Sequence, residues 1–349
     1  MIESPLVSVI VPACNAQTTL PETLASIQSQ TYETLEILIV DDGSTDRTSE
    51  IAEAFCRKES RASLLRKANG GLSSARNAAI AASRGEWLAP LDADDIWHPT
   101  AVAKLVSAAV SAQQRPGLVY CWYRDIDETG HLLGSGPRWA FSGPALQRLA
   151  YWNTIHSVLL SRQAVEEVGG YDEDLRACED IMMQLSIARR HPVAVVPEHL
   201  LGYRTRPGSM STNSEVVVQS WRNVNQKLVA DCARIPQHVL RWNEGFFERI
   251  FAEQSLRVGD LKGTVSHMFR AVRIDPLRWG SYAAYRLTRS ATHRIFGRRK
   301  PLPRLVFGEV DPRAALPSDA DQIGWFAAVL RQIDAARLRR LQASERLEG

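Results

Sequence analysis

"LEILIVDDGSTD", residues 35–46, is a β-rich apolar run that breaks into a polar turn. The run has strand length and the turn begins with two aspartates, a glycine and a serine. The same grammar recurs on both sides. Upstream, "LVSVIVP" reads as a buried strand. It is followed by helix-period residues with Leu20, Leu24 and Ile27 on one face. Thr19 and Glu22 have the spacing of a capping box at that helix's start. Downstream comes a helix with Ile51 and Phe55 on one side, then the short strand "ASLLRKA". "NGGLSSARNAAIAAS" is a glycine turn entering an Ala-rich helix, and "EWLAPLDADD" is a strand ending in acids. Pro99 opens a helix over about 100–114, and "GLVYCWYR" gives a further strand. Strands alternating with helices specify an α/β fold: a Rossmann-like, mostly parallel sheet flanked by helices.

In such a sheet, ligands bind beyond the carboxyl ends of the strands. Three polar clusters fall at those ends: Pro12 to Asn15, Asp41 to Asp46, and Asp92 to Asp95. Their shared rim is a stronger signal than any one of them. From 140 to 212 the pattern changes. "IHSVLLSR" is a strand, "VGGYDEDLRACED" is an acid-rich loop leading into the helix "IMMQLSIARR", and "PVAVVPEHLLGYRTRPGSMS" is a strand and then a polar loop. After about 213 the chain reads as helical. Two helices joined at Gly259-Asp260 resemble one tetratricopeptide-type hairpin, with Leu261, Val265, Met268 and Val272 on one face. The expected organisation is a catalytic-type domain over 1–212 and a helical C-terminal region over 213–349.

Composition sets the broad class. The 349 residues are 45% hydrophobic and 23% charged, as in soluble globular proteins. No apolar run reaches about 18 residues, so no transmembrane helix is expected. "MIESPLVSVIVPACN" lacks a basic region ahead of its apolar stretch and reads as a first strand, not a secretion signal. Five scattered cysteines without a CxxC pair argue against a disulfide framework or structural zinc and fit a reducing cytoplasm. The net charge of +3 is uneven. Residues 262–304 hold eleven Lys/Arg against the single acid Asp275, a local +10 that leaves −7 elsewhere. Arg278, Arg286, Arg289, Arg294, Arg298, Arg299 and Lys300 there interleave with Trp279, Tyr282, Tyr285 and Phe296. Arginines with aromatics suit an anionic lipid interface. Nucleic acid would suit the charge as well, but no nucleic-acid module is recognisable.

"VSVIVPACN", "VDDGSTDRT", "NGGLSSARNAAI", "GEWLAPLDADD", "GGYDEDLRACED" and "YRTRPGSMS" stand in the order and spacing of the family 2 glycosyltransferases. The chain resembles that family over about residues 5–212. The resemblance implies a GT-A fold and an inverting, metal-dependent enzyme that uses nucleotide-sugar donors. Asp92-x-Asp94 resembles the family's DxD motif. It implies a divalent metal, Mg²⁺ or Mn²⁺, on Asp94, with Asp92 reaching ribose or a metal-bound water. Asp95 would cap the following helix. Asp42 would accept from the base of the nucleotide, uracil or a related base. Asp41 would orient the loop and Asp46 cap a helix. Arg76 would lie near the base, paired with Asp42, and Pro12 and Ala13 would line the nucleotide.

Inversion needs one in-line displacement, with a carboxylate taking the acceptor hydroxyl's proton. By resemblance that base is Asp180, at a helix start that would hold it ionised, and Glu179 would position a sugar hydroxyl. The sequence departs from the family twice. Gln17 stands where many relatives carry an acid. Arg206 stands where many carry a histidine near the metal. An arginine fork suits phosphate, so Arg206, with Arg204, is expected to grip the diphosphate. Of the lone histidines His156 and His199, His156 is the one expected on the acceptor side. The expected acceptor is a hydroxyl of a bacterial cell-surface glycan or of a lipid-linked molecule. The expected location is cytoplasmic, peripheral at the inner face of the plasma membrane through 262–304, with no nucleic acid bound. Two rivals stand beside this reading. A sugar-nucleotide nucleotidyltransferase would carry a basic, Gly-rich loop where this chain has "PACNAQTT". An inactive glycan-binding protein of the same fold would not need Asp94 and Asp180.

Overall fold

The structure is a computed structural model. It describes residues 4–135, 138–151, 155–156, 158–205, 214–231, 235–257, 259–280, 282, 305–314 and 325–348. The chain divides into two compact units: Met1–Pro144 with Thr154–Arg206 and Arg304–Ala314, and Ala145–Asn153 with Pro207–Pro303 and Ala315–Gly349. Two short segments depart from the simple order, because 145–153 joins the helical unit and 304–314 returns to the sheet.

In the first unit, β1 (Val7–Ala13), β2 (Leu35–Asp42), β3 (Ala62–Lys67) and β4 (Trp87–Pro90) pair in parallel in the order 3-2-1-4. Their crossovers carry α1 (Leu20–Gln28), α2 (Thr48–Cys56) and α3 (Leu72–Ala82). β1 is buried along its whole length, as a central strand covered on both faces must be. Beyond β4 the pairing changes character. β5 (Ile96–Trp97), β6 (Leu118–Ile126), β7 (Leu132–Ser135), β8 (Val158–Ser161) and β9 (Val193–Arg204) complete the order β4-β8-β6-β9-β5, with β7 on β6. β8 runs antiparallel to both β4 and β6, and β5 runs antiparallel to β9. The sheet is therefore mixed: β1–β4, β6 and β9 run one way, and β5, β7 and β8 the other. "GLVYCWYR", β6, is separated from β4 by β8, which follows it in sequence, so its place in the sheet is set by long-range pairing.

Capping follows a different route from the one the sequence suggests. Thr19 makes no side-chain cap bond at α1, and Glu22 turns away to Arg204. α4 (Ala101–Ser111) starts after Thr100, and Asp95 does not cap it. The returning segment 305–314 is stitched to the sheet. Leu132 donates its N–H to Leu305 O at 2.8 Å, and the buried Arg124 donates to Asp311 O at 3.1 Å and Ala314 O at 2.8 Å. His199 donates its N–H to Pro312 O at 2.9 Å, and its Nδ1 lies 2.9 Å from the same oxygen, which makes it a structural histidine.

The acid-rich loop before α7 (Glu179–Ala188) follows α6 (Arg162–Val168). In the second unit α5 (Leu146–Tyr151), α8 (Ser214–Asp231), α9 (Gln237–Arg257), α10 (Leu261–Ile274) and α11 (Trp325–Glu348) are helical. Asp260 caps α10 by accepting from Gly263 N at 2.9 Å, and Gly259 has φ +82°. On the expected apolar face of α10, Leu261 and Val265 are 67% and 68% exposed, and the buried residue of the helix is Ala271. Arg278 and Trp279, expected at an interface, are buried. Arg278 binds Asp334 at 2.8 Å and stacks 4.1 Å from the Trp279 ring centroid. Arg286 to Lys300, with Tyr285 and Phe296, lie outside the described residues. Among the described residues no helix is long and apolar enough to cross a membrane.

Candidate active site

Register brings the first two clusters together. β1 and β2 pair so that Ala13 faces Asp41, which sets Pro12 and Ala13 beside the aspartates. The loops beyond them interlock. Asn15 accepts from Thr45 N at 2.9 Å, and its own N–H donates to Ser44 Oγ at 3.0 Å. Asp41 accepts from Ser44 N at 3.0 Å, and Asp46 from Thr48 N at 2.9 Å. Gly43 has φ +73°, and a Cβ there would lie 2.8 Å from Asn69 N, so the turn needs glycine.

Asp42 is buried at the end of β2. Its Oδ1 accepts from Lys67 Nζ at 2.7 Å and Gly70 N at 2.9 Å, and its Oδ2 from Gly71 N at 2.8 Å. The cation beside Asp42 is therefore Lys67, not Arg76. Sequence reading missed Lys67, although the parallel register of β2 on β3 sets Asp42 directly opposite it.

Arg76 points elsewhere. It sits on α3, 5% exposed, and bridges two carboxylates: Asp92 Oδ1 and Glu179 Oε1, each at 2.6 Å. Its guanidinium carbon lies 5.1 Å from the centroid of Tyr171. The next residue, Asn77, donates to Tyr171 O at 2.8 Å and accepts from Tyr171 N at 2.8 Å. Gly170, with φ +81°, packs against Asn77, where a Cβ would lie 2.9 Å from Oδ1. Two consecutive residues of one helix thus fix the acid-rich loop, and Asn77 too was missed from sequence.

A cleft is lined by Arg76, Asp92, Asp95, His156, Tyr171, Asp180 and Tyr203 with apolar neighbours. Asp180 lies in the first turn of α7 and accepts from Ile181 N at 2.8 Å. Burial pushes its carboxyl up from the usual aspartate value, against the lowering pull of Arg76. The direction runs against the helix start, which favours the ionised form: desolvation outweighs the helix. Burial raises Glu179 in the same way, with Arg76 opposing. His156 stacks on Tyr203 at 4.2 Å and meets Tyr123 edge-on at 4.6 Å. Burial pushes it down to about 4, so its ring is neutral at physiological pH.

Asp95 is buried and accepts from Arg204 N at 2.9 Å. Burial, then the charges of Asp94 and Asp92, lift it well above the carboxylate range. Arg204 is corrected from a phosphate grip to a strut. Its side chain is 0% exposed. It donates to Asp94 O at 2.7 Å, Asp127 O at 2.9 Å, Glu128 O at 2.7 Å and Glu22 Oε2 at 2.5 Å. Arg206 lies outside the described residues.

Among the described residues no group of three or more His, Cys, Asp or Glu could hold a metal ion. The donor set nonetheless fits one kind of ion. A hard Mg²⁺-like cation uses one or two carboxylates and takes its other ligands from phosphate and water. Asp92, with its side chain 38% exposed, and the half-buried Asp94 supply two such carboxylates on one turn.

Residues 8–163 match the family model described as Glycosyl transferase family 2. The glycosyltransferase EpsJ of Bacillus subtilis is 31% identical over 227 residues, 59% of this chain and 63% of its own length. The chain thus spans less than two thirds of that relative. S. aureus TarS 1-349 in complex with UDP superposes with a TM-score of 0.56 at 16% identity, over 89% of this chain and 98% of that one. The mannosyltransferase PcManGT from Pyrobaculum calidifontis, in complex with GDP-Man and Mn2+, gives 0.56 at 20% identity, over 84% and 81%. The fold is GT-A.

Replacing Arg204 tests its assignment. Arg204→Met orphans three carbonyls and one carboxylate, and should cost about 3 kcal/mol of stability, read as a lower urea midpoint. Unchanged stability with weakened binding of UDP but not of uridine would return Arg204 to the diphosphate.

Proposed function

From the match of residues 8–163 to the family 2 glycosyltransferases, we propose that the chain is one of them and carries out an inverting, metal-assisted transfer of one sugar from a nucleotide-diphosphate sugar. A UDP-sugar is the favoured donor. The acceptor is a hydroxyl of a bacterial cell-surface glycan or lipid-linked molecule, met in the cytoplasm at the inner face of the plasma membrane. The observation that carries the reading is the meeting of Arg76, Asp92 and Asp180 in one cleft, with Glu179 on the far side of the same guanidinium.

Asp180 takes the acceptor hydroxyl's proton as that oxygen bonds to the anomeric carbon. The bond from that carbon to the diphosphate breaks, and its electron pair leaves with the nucleotide. One displacement inverts the configuration. The raised carboxyl of Asp180 makes it a stronger base than an ordinary aspartate. Glu179, held by Arg76, orients a sugar hydroxyl. Asp92 and Asp94 would hold the divalent cation, which when bound offsets the charge gathering on the leaving diphosphate. Pro12 and Ala13 line the nucleotide. His156, neutral and stacked on Tyr203, offers the acceptor an aromatic wall without charge.

Asp42 reads the base. Lys67 and two backbone N–H groups fix its carboxylate. Oδ2 carries one described bond, and a carboxylate oxygen can take two. It can accept the imide N–H of uracil, while Lys67 faces the carbonyl beside it. Guanine presents a similar edge, which agrees with UDP on one solved neighbour and GDP-Man on the other.

Asp180→Asn should lower turnover by about 10² to 10⁴ while leaving donor binding nearly intact. Wild-type turnover in the variant, or a product that retains the donor's configuration, would remove this mechanism. The pH profile carries the same sign. The active form is deprotonated, so kcat/KM should fall as pH drops through a value above the ordinary aspartate's, about 4. An acid limb at or below that value would contradict the raised carboxyl. Asp94→Ala should abolish the enhancement of UDP binding by Mn²⁺ in calorimetry, and equal enhancement in the variant would overturn the ligand assignment. Lys67→Met should weaken UDP binding about tenfold, the loss expected for one charge-assisted hydrogen bond. Unchanged affinity would place the base elsewhere.

A further inference from the structure

α10 is amphipathic the wrong way round for a helix packed inside a protein. Leu261, Val265 and Phe269 recur every fourth residue and are 67%, 68% and 67% exposed, and Leu277 beyond the helix end is 63% exposed. Residues four apart lie on one helix face, so the three side chains form one apolar stripe in water. The stripe has a neighbour of definite sign. Lys262, Arg270 and Arg273 are exposed on the adjoining side of the helix. Among the described residues Arg270 pairs with Glu248, at 3.8 Å. The opposite face is turned inward: Ala271 is buried and His267 Nδ1 lies 2.7 Å from Glu248 Oε2.

We infer that the exposed face of α10 is a membrane-docking surface, its stripe of Leu261, Val265 and Phe269 entering the headgroup boundary of an anionic bilayer while Lys262, Arg270 and Arg273 meet lipid phosphates. An apolar stripe flanked by cations is the composition that binds in the plane of an interface. The sequence beyond it adds charge of the same sign. From 276 to 304 it carries eight Lys/Arg and no acid. A second protein copy is a poorer match, because two such faces would bring like charges together. The inference deepens the membrane reading of residues 262–304. It moves the apolar anchor from Trp279, which is buried, to α10, and it does not depend on the transferase chemistry.

The test uses the full chain and sedimentation with phosphatidylserine/phosphatidylcholine vesicles at low salt. Wild type should pellet with them and be released by salt, since screening shortens the Debye length to about 10 Å at 0.1 M. Leu261→Ser/Phe269→Ser removes exposed side chains only and should weaken the partition at least about tenfold. Arg270→Ser/Arg273→Ser should weaken it and flatten its salt dependence. Variant binding equal to wild type would overturn the role of α10 and leave the basic tail as the contact. No wild-type binding would overturn both readings together. A concentration-dependent dimer in gel filtration that Leu261→Ser/Phe269→Ser abolishes, without vesicle binding, would assign the face to a second copy. UDP binding, measured on the same variants, should be unchanged and serves as the control for folding.

Discussion

One guanidinium organises the cleft. Asp92, Asp94, Asp95, Glu179 and Asp180 all crowd toward the carboxyl edge of the sheet, and such a gathering repels itself. Arg76 lies between Asp92 and Glu179 at 2.6 Å from each. A buried ion is costly unless its partners are close and well directed, and here both are. The bridge also joins three stretches distant in sequence: α3, the turn after β4, and the start of α7. Asn77 repeats the same tie one residue later on the backbone of Tyr171. A change at Arg76 therefore reaches Asp92 and the first turn of α7 at once, and its effects there should not be additive with changes at Asp92 or Glu179.

The first half of the fold was legible because its signals are local. Each strand ends in a turn signal and each helix has its own period, so β1 to β4 and α1 to α3 follow from short windows. The mixed edge was not legible. The directions of β6, β8 and β9 are set by pairing between distant segments, and no window contains that information. The same holds for residues 304–314, which return to the sheet from the far side of a helical stretch. α10 shows a subtler limit. An apolar stripe in sequence shows which side is greasy, and the ordinary inference is that this side faces inward. Leu261 and Val265 face solvent instead, and only the packing of Ala271 shows it.

For the cleft, the sequence pointed to residue types and places but not to partners. The rim of strand ends was legible, and Asp92, Asp180, Arg76 and His156 do meet there. The pairings were not. Arg76 was expected beside Asp42, yet the parallel register already holds the better answer. Lys67 ends β3 directly across from Asp42, so the strand ladder delivers a cation that motif spacing cannot see. Arg204 misleads for the opposite reason. An arginine in a polar-looking loop suggests phosphate, but this one lies at the end of a buried strand among three carbonyls. Its environment, and not its charge, decides its role.

Asp180 shows how magnitudes settle a conflict between two sound principles. A helix N-terminus favours a carboxylate by about 0.3–1 kcal/mol, less than one pKa unit at about 1.36 kcal/mol. Full burial can move a carboxyl upward by about 3–5 units. The helix therefore cannot hold a buried aspartate at its ordinary value, and the net direction is up. Arg76 keeps the rise in check from the Glu179 side. That balance is useful to a base. Fully solvated, the carboxylate would be a weaker base; without the arginine, burial would favour its protonated, non-basic form further. In the proposed mechanism that balance would let a single carboxylate lose its proton in the resting state and regain one as the acceptor attacks.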